Sequence, residues 1–464
     1  MVSILTGLNF RNSLKNHFRL LLASSFISLG FSIHLQADQL SNEPSSIITL
    51  SSTDSLQSAI NRAAENSILE LSQGVYQGNL LINKPLSLRC KKGAEINGQG
   101  ENDNIIITAP HVSIEGCRIT NWGDDLTEMN AGIVIKKTAN NVMIKNNYFK
   151  GPIFGVFLDA SVDTKVYSNR IEGIKSIRSQ DRGNGIHLYA STGADIAFNE
   201  VWHTRDGIYI DTSNENTIRN NEFHHLRYGV HYMYSHHNRV INNYTHHTRC
   251  GYALMQSKYL TVEGNRSEQD ENYGILMNFI TNSSIKNNHI KQVQQGANPA
   301  GGKLIAGALG KGLFLYNSLF NTLSNNTIEN SDIGIHLTAG SEDNIITRNN
   351  FITNKQQVKY VANRVQEWSD SSEGNFWSDY LGWDRNIDGI GDVMYEPNDS
   401  VDKLLWRYPS AKLLMNSPAI EALRWIQKDF PVLKSPGVTD SFPLMNISQY
   451  KTGKEVDFYR GEIQ

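Results

Sequence analysis

The chain has 464 residues, with 43 Lys and Arg against 46 Asp and Glu, a formal charge of −3 and 39% hydrophobic residues. No long basic stripe is present, which removes nucleic-acid binding from the classes to consider. Its three cysteines, Cys90, Cys117 and Cys250, are an odd number, so outside the cytosol at least one thiol stays unpaired.

Arg11, Lys15 and Arg19 precede the apolar run Leu20 to Ile33, and Leu35-Gln-Ala37 follows it. The run is too short to span a bilayer comfortably, and the arrangement is that of a secretory leader cut after Ala37. Loss of those three cations and no acids takes the formal charge from −3 to −6, so the exported chain is mildly acidic. Asp54 to Asn66 then sets Leu56, Ile60 and Ala63 on one helical face, ahead of short apolar runs at Leu69, Gly74 and Leu80. A short amphipathic helix covering the open end of a coil protects its first edge.

From Gly132 to Gly334 the chain repeats itself about every 22 residues. The repeats open at Gly132, Gly155, Gly185, Gly207, Gly229, Gly251, Gly274, Gly312 and Gly334. An Asn falls 14 residues after each of the first eight: Asn146, Asn169, Asn199, Asn221, Asn243, Asn265, Asn288 and Asn326. The apolar runs between are two to five residues long, alternate with period two and are β-branched, so they are strands. Strands that short must share a continuous core, and three per 22-residue turn describe an all-β, right-handed parallel β-helix. Residues one period apart become vertical neighbours about 4.8 Å apart, and the Asn column reads as stacked amides that satisfy each other. Cys90 and Cys117 fall on adjacent rungs and are within range of pairing, leaving Cys250 as the free thiol. Two long repeats carry excursions, Gly173 to Asn184 and Val293 to Lys311, of the kind that become lateral loops. The expected organisation is leader 1–37, β-helix 38–365 and a C-terminal extension 366–464. The extension carries Trp368, Trp377, Trp383 and Trp406, and a helix opened by Ser417-Pro418 with Ile420, Leu423, Ile426 and Phe430 on one face.

Nine of the fourteen histidines lie between His187 and His247. Counted from each repeat glycine, offset 18 holds His203, His225 and His247, with His224 and His246 beside the last two. Offset 2 holds His187, Tyr209 and His231; offset 4 holds Tyr189, Asp211, Met233 and Met255. Offsets 1 and 3 are the buried pair, so offsets 2 and 4 should point outward and His231, Met233 and Met255 should share one surface patch. Two thioethers and an imidazole are what Cu(I) prefers, which makes these three the first candidate metal site. A Met-lined protein interface is the competing account. The offset-18 column is the second candidate, balanced against a His ladder that simply stacks. Asp384, Asn386, Asp388 and Asp392, with Gly389, match the first part of a calcium loop; Tyr395 replaces the position-12 Glu, so a polar turn held by its own hydrogen bonds is an equal reading.

The repeats resemble the carbohydrate-binding and sugar-hydrolase repeat shared by many sugar enzymes. The run Asn375-Phe-Trp-Ser-Asp-Tyr-Leu-Gly-Trp-Asp-Arg-Asn-Ile-Asp-Gly-Ile-Gly-Asp392 is more specific. It continues through Tyr395-Glu-Pro-Asn-Asp399, Leu404-Leu-Trp-Arg-Tyr-Pro409 and Asp440-Ser-Phe-Pro-Leu-Met445. Together these resemble the NosD family, periplasmic accessory proteins for the maturation of nitrous-oxide reductase. The resemblance implies a partner of the membrane and ATPase subunits of an ABC transporter. It also implies transient copper, probed first as Cu(I), moving between a copper chaperone and the reductase apoprotein for its copper-sulfur cluster, with no catalytic turnover. The rival class is a polysaccharide lyase, epimerase or hydrolase, for which offset 4 offers Asp159 and Asp211 two rungs apart with Tyr189 between them. A passive scaffold, the third class, requires neither metal nor partner.

Overall fold

A computed structural model describes residues 46–296, 309–338, 340–361, 364–398, 417–420, 422, 426 and 437–448. The leader, Trp406, most of the second excursion and most of the Ser417 to Phe430 segment lie outside these residues.

The expected coil is present, as a right-handed parallel β-solenoid. Its strands form three parallel sheets along the axis. The first runs from Ile47–Leu50 to Ile345–Thr347 through 13 strands, the second from Gly74–Gln77 to Phe376–Trp377 through 13, and the third from Leu80–Ile82 to Gln356–Val361 through 12. The one-period register is explicit in the third sheet, where Ile186 pairs Ile208, Ile208 pairs Val230 and Val230 pairs Tyr252. These four side chains are fully buried, so one column of the sequence repeat becomes one stripe of the core. The repeat glycines are dictated by crowding at the strand start. A Cβ on Gly207 would lie 2.6 Å from the carbonyl oxygen of Gly229, and one on Gly229 would lie 2.7 Å from that of Gly251.

The amide ladder forms, with one correction. Its first member is Asn147, not Asn146: Asn147 is fully buried and its side chain donates to Asn169 Oδ1 at 3.1 Å, whereas Asn146 takes a left-handed backbone (φ 57°) at the turn. The first repeat is one residue longer before this column, which the fixed offset of 14 does not register. In each step the Oδ1 of one Asn accepts from both the backbone N–H and the side-chain amide of the Asn a rung earlier, as with Asn243 receiving Asn221 at 3.0 and 2.9 Å. The ladder outlasts the glycine repeat, through Asn326 and Asn349 to Asn375.

Both ends are closed. Ser55 caps the helix Leu56–Arg62, accepting from Ser58 N–H, and Leu56, Ala59, Ile60 and Ala63 face the core. Cys90 and Cys117 form a disulfide and Cys250 is a buried free thiol. At the other end the coil continues past residue 365 to the strand Phe376–Trp377, with Trp377 stacked on Phe351 at 4.4 Å and on Tyr395 at 4.6 Å. The extension supplies a last partner for the ladder: Asp440 Oδ2 accepts from Asn375 N–H at 2.7 Å and from the Trp377 indole at 2.8 Å. Trp368 and Trp377 are therefore a plug, buried to 0% and 1% exposure. Of the expected C-terminal helix, Pro418 to Ile420 are helical and Ile420 N–H returns to Ser417.

Candidate metal centre on the outer faces of the coil

Register brings the histidines of offsets 17 and 18 onto successive rungs. The strands Glu200–Trp202, Glu222–His224 and Tyr244–His246 pair with Trp202 beside His224 and His224 beside His246. Trp202, His224 and His246 project outward and stack, at 5.7 and 4.9 Å between centroids. His203, His225 and His247 follow at the turn, all with left-handed φ between 53° and 58°, a conformation in which His is enriched among non-glycine residues. His225 stacks on His247 at 5.4 Å and lies edge-on to His203 at 5.5 Å.

The two columns are tied together. Nδ1 of His224 lies 2.9 Å from Nδ1 of His225, and Nδ1 of His246 lies 2.8 Å from Nδ1 of His247. Within each pair one nitrogen donates and the other accepts, so one ring is unprotonated at Nδ1. Nε2 of His246 reaches Glu222 Oε1 at 3.1 Å, and Nε2 of His224 lies 3.5 Å from Glu200 Oε1. Glu222, His224 and His246 each offer one ligand atom, all within 4.8 Å of one another. Burial, then the four surrounding imidazoles, pushes the pKa of His225 from 6.5 down to about 4, and burial lowers those of His203 and His247. The hydrogen bond from His224, together with Arg170, holds Glu200 below the usual carboxylate range. This second-choice column is thus larger than the sequence offset suggested. Glu222 was the member missed, and its signal was its place two residues before His224, on the same strand face.

The first-choice residues share a strand face but not an open patch. Val230 and Tyr232 enter the core, so His231 and Met233 point the other way. His231 is only 8% exposed, a correction to the expected surface position. Its Nδ1 lies 2.9 Å from Oδ2 of Asp206, which also receives Arg227 in a bidentate pair at 2.8 and 2.6 Å. Burial alone would raise the pKa of Asp206, but the hydrogen bonds from Arg227 and His231 outweigh it and leave it lowered. The rings of Tyr209 and Tyr228 close over His231 at 4.5 and 5.0 Å. Continuing the His231 to Ala253 register two residues sets Met233 beside Met255 as expected, yet Met255 packs against buried Cys250, Ala253 and Leu276. Asp206, one residue before the repeat glycine, lies outside every offset considered from sequence. His231 keeps only Nε2 for a ligand, and a carboxylate on the other nitrogen is how ligating imidazoles are usually oriented.

The remaining candidates are more self-contained. Asp384 accepts backbone N–H groups of Ile387 at 2.6 Å, Asp388 at 3.2 Å and Gly389 at 2.8 Å, Asp388 accepts Ile390 at 2.8 Å, and Asp392 accepts Arg385 at 2.7 Å. Side-chain amide of Asn386 donates to Asp388 at 2.9 Å. The loop's oxygens serve its own turns, the hydrogen bonding that the polar-turn account expects. Asp159, Tyr189 and Asp211 align on three rungs as expected, with Asp159 held by Lys136 at 3.1 Å.

Fold and site together define a β-solenoid whose outer surface carries a concentrated imidazole and carboxylate cluster of the kind that suits a borderline transition-metal ion. A family profile described as periplasmic copper-binding protein (NosD) matches residues 168–382. Two relatives named "Probable ABC transporter binding protein NosD" are similar over most of the chain. The one from Stutzerimonas stutzeri is 61% identical over 381 residues, 82% of this chain and 87% of that one. The one from Pseudomonas aeruginosa is 62% identical over 377 residues, 81% and 88%. The chain belongs to the NosD family. Among solved structures it is similar to the catalytic domain of a GH87 alpha-1,3-glucanase, with a TM-score of 0.57 and 14% identity, covering 73% of this chain and 70% of that one. It is also similar to a Yersinia enterocolitica family 28 exopolygalacturonase, at 0.51 and 12%, covering 68% and 76%. At those identities the likeness is one of fold. Among the described residues no helix is long and apolar enough to cross a membrane.

Proposed function

We propose that this chain carries copper in the periplasm as a non-enzymatic partner of an ABC transporter, in assembly of the copper-sulfur cluster of nitrous-oxide reductase. A copper chaperone is the donor in this reading and the reductase apoprotein the recipient. The observation that carries it is the convergence of Glu222, His224 and His246, with His203, His225 and His247 beside them. Imidazole nitrogens with a neighbouring carboxylate suit copper, and partial exposure leaves the ion exchangeable with a donor and a recipient, as delivery requires. Met233 and Met255, with Nε2 of His231, are the second, softer station for Cu(I). The family description and the names of the relatives support copper and a transporter as cargo and partner.

The test is metal analysis of the exported chain after anaerobic Cu(I) loading and chelator competition. His224→Ala with His246→Ala should remove most bound copper, and Met233→Ala with Met255→Ala should weaken its retention. Reductase purified from a strain carrying the first pair should lack part of its cluster. Full loading of both double variants, or no copper on the parent chain, refutes the reading.

A further inference from the structure

At the corner between the third and first sheets each of the seven rungs opening at Gly155, Gly185, Gly207, Gly229, Gly251, Gly274 and Gly312 turns through two residues with left-handed backbone, three apart in sequence. Ten of these fourteen positions hold small or polar side chains, among them Asp163 (φ 55°), Gly193 (69°), Asn282 (53°) and Asn317 (46°). The other four, one on each of four successive rungs, are bulky aromatics, Tyr234 (50°), Tyr259 (57°), Phe279 (55°) and Phe320 (58°). Aromatic side chains in this region are outliers, and they persist where something other than local stability selects them. All four project into solvent, at 52%, 51%, 47% and 56% exposure, with Tyr316 at 42% beside Phe279. They therefore combine backbone strain with exposed apolar area, offset within the chain only by edge contacts such as Tyr259 stacked on His237 at 4.8 Å.

We propose that this ridge lies on the interfacial layer of an anionic phospholipid bilayer. Shape and charge both select that occupant. The tips come from the rungs opening at Gly229, Gly251, Gly274 and Gly312, alternating between the first turn position (Tyr234, Phe279) and the second (Tyr259, Phe320), so they form a band along one corner of the coil for about 14 Å at about 4.8 Å per rung. Tips on successive rungs at one corner of the coil can reach a plane together, whereas a protein partner has to offer a matching groove. The chain is acidic overall, yet residues 234–238, 256–260, 279–283 and 317–321 contain no Asp or Glu and do contain His236, His237 and the exposed Lys258. Carboxylates return on the turns either side, at Glu215 and at Glu342 and Asp343. Tyr and Phe tips flanked by a cation are what the headgroup region of an anionic leaflet accepts, the rings adding buried area and the cation adding attraction. A coil lying on the bilayer along this edge is within reach of a membrane-embedded partner, but the inference stands apart from copper and is tested on metal-free protein.

The experiment is vesicle co-sedimentation of the metal-free chain lacking residues 1–37, with phosphatidylcholine vesicles and with vesicles containing phosphatidylglycerol. The parent should bind the anionic vesicles in a salt-sensitive way and the neutral ones weakly. Tyr234→Asn, Tyr259→Asn, Phe279→Asn and Phe320→Asn combined should lower partitioning about tenfold or more. Asn is the natural occupant of these turns on neighbouring rungs, so the thermal midpoint of the variant should be unchanged or higher, which separates lost binding from lost fold. Lys258→Glu should reduce the preference for anionic lipid. Failure of the parent to bind either vesicle, or equal binding by the fourfold variant, overturns the proposal. Capture of a protein partner that depends on the ridge, without vesicle binding, overturns it as well and gives the ridge to that protein.

Discussion

His187 should weaken the fold, and replacing it should strengthen it. The side chain stands in the offset-2 column between Phe157 and Tyr209, 6% exposed, with the rings of Phe154, Phe157 and Tyr209 at 5.1, 5.1 and 4.9 Å. Neither ring nitrogen has a partner within the protein. A buried polar group left unpaired costs roughly 1–3 kcal/mol, and a neutral imidazole contains a donor and an acceptor. His187→Leu removes both at nearly constant volume, and Leu276 already fills the same column elsewhere, so a gain of about 1–3 kcal/mol at pH 7 is expected. Burial also pushes the pKa of His187 from 6.5 to about 4. With the folded value below the unfolded one, the unfolded chain binds the proton first, so stability present above pH 6.5 is lost as the pH falls towards 4. At about 1.4 kcal/mol per pH unit the loss over that window is about 3 kcal/mol, and it should vanish in His187→Leu. Repeat arrays do not always unfold in one step, so urea midpoints at pH 7 and 4.5 should be paired with hydrogen exchange at the amides of Ile186–Tyr189. A variant no more stable than the parent at either pH means that the nitrogens are satisfied, and the reasoning fails.

Asp440 should act in the opposite sense: burial raises its pKa from 3.8 to about 6, so its neutral form stabilises the fold below about pH 4 and that contribution is lost as the pH rises through 6. Asp440→Asn should accordingly steepen the acid loss seen with His187 present, and identical pH slopes in urea refute it. Asn243→Ala removes an amide that accepts from Asn221 twice and donates to Ile218 and Asn265, and should cost about 4 kcal/mol at about 1 per bond; a urea loss under about 1 kcal/mol contradicts the ladder's importance. Reducing the Cys90 to Cys117 disulfide, which closes a 27-residue loop, should cost about 3.5 kcal/mol on the chain-entropy account, read as a lower thermal midpoint in dithiothreitol and an unchanged one in Cys90→Ser with Cys117→Ser.

The fold was legible because one period governs it. Glycine at the crowded strand start, two buried residues at offsets 1 and 3, and an amide at the turn are each fixed by the neighbouring rung, so the sequence repeats what the geometry repeats. What escaped reading breaks the period. Asn147 replaced Asn146 because one rung is a residue longer. The last rung at Phe376–Trp377 carries no repeat glycine, and its closing acceptor, Asp440, comes from 65 residues further along the chain. The histidines were visible as columns, but their surroundings were not. Asp206 and Arg227, which fix His231, sit at the strand entry where no column had been assigned, and the tyrosines that bury it come from two different rungs.

A solenoid forces like to stack on like, and the chemistry of the side chain decides what that does. An amide is donor and acceptor at once, so ten asparagines from Asn147 to Asn375 close each other's hydrogen bonds in the interior and gain from repetition. An imidazole column behaves differently. Burial, and then repulsion from the neighbouring rings such as His247 stacked at 5.4 Å, drives His225 towards its neutral form, which keeps a nitrogen lone pair. That is no gain for the fold, which Asn or Ser serves at other turns, but it is a gain for a ligand that wants unprotonated nitrogen. The same reasoning applies to the aromatic turn tips, where Asn fits the backbone and Tyr or Phe does not. Inside the coil, then, a repeated residue is explained by the rung next to it. Outside, a repeated residue that its neighbours do not need calls for another account, and among the described residues the histidine columns and the aromatic turn tips, on two different corners, are what the copper and bilayer proposals rest on.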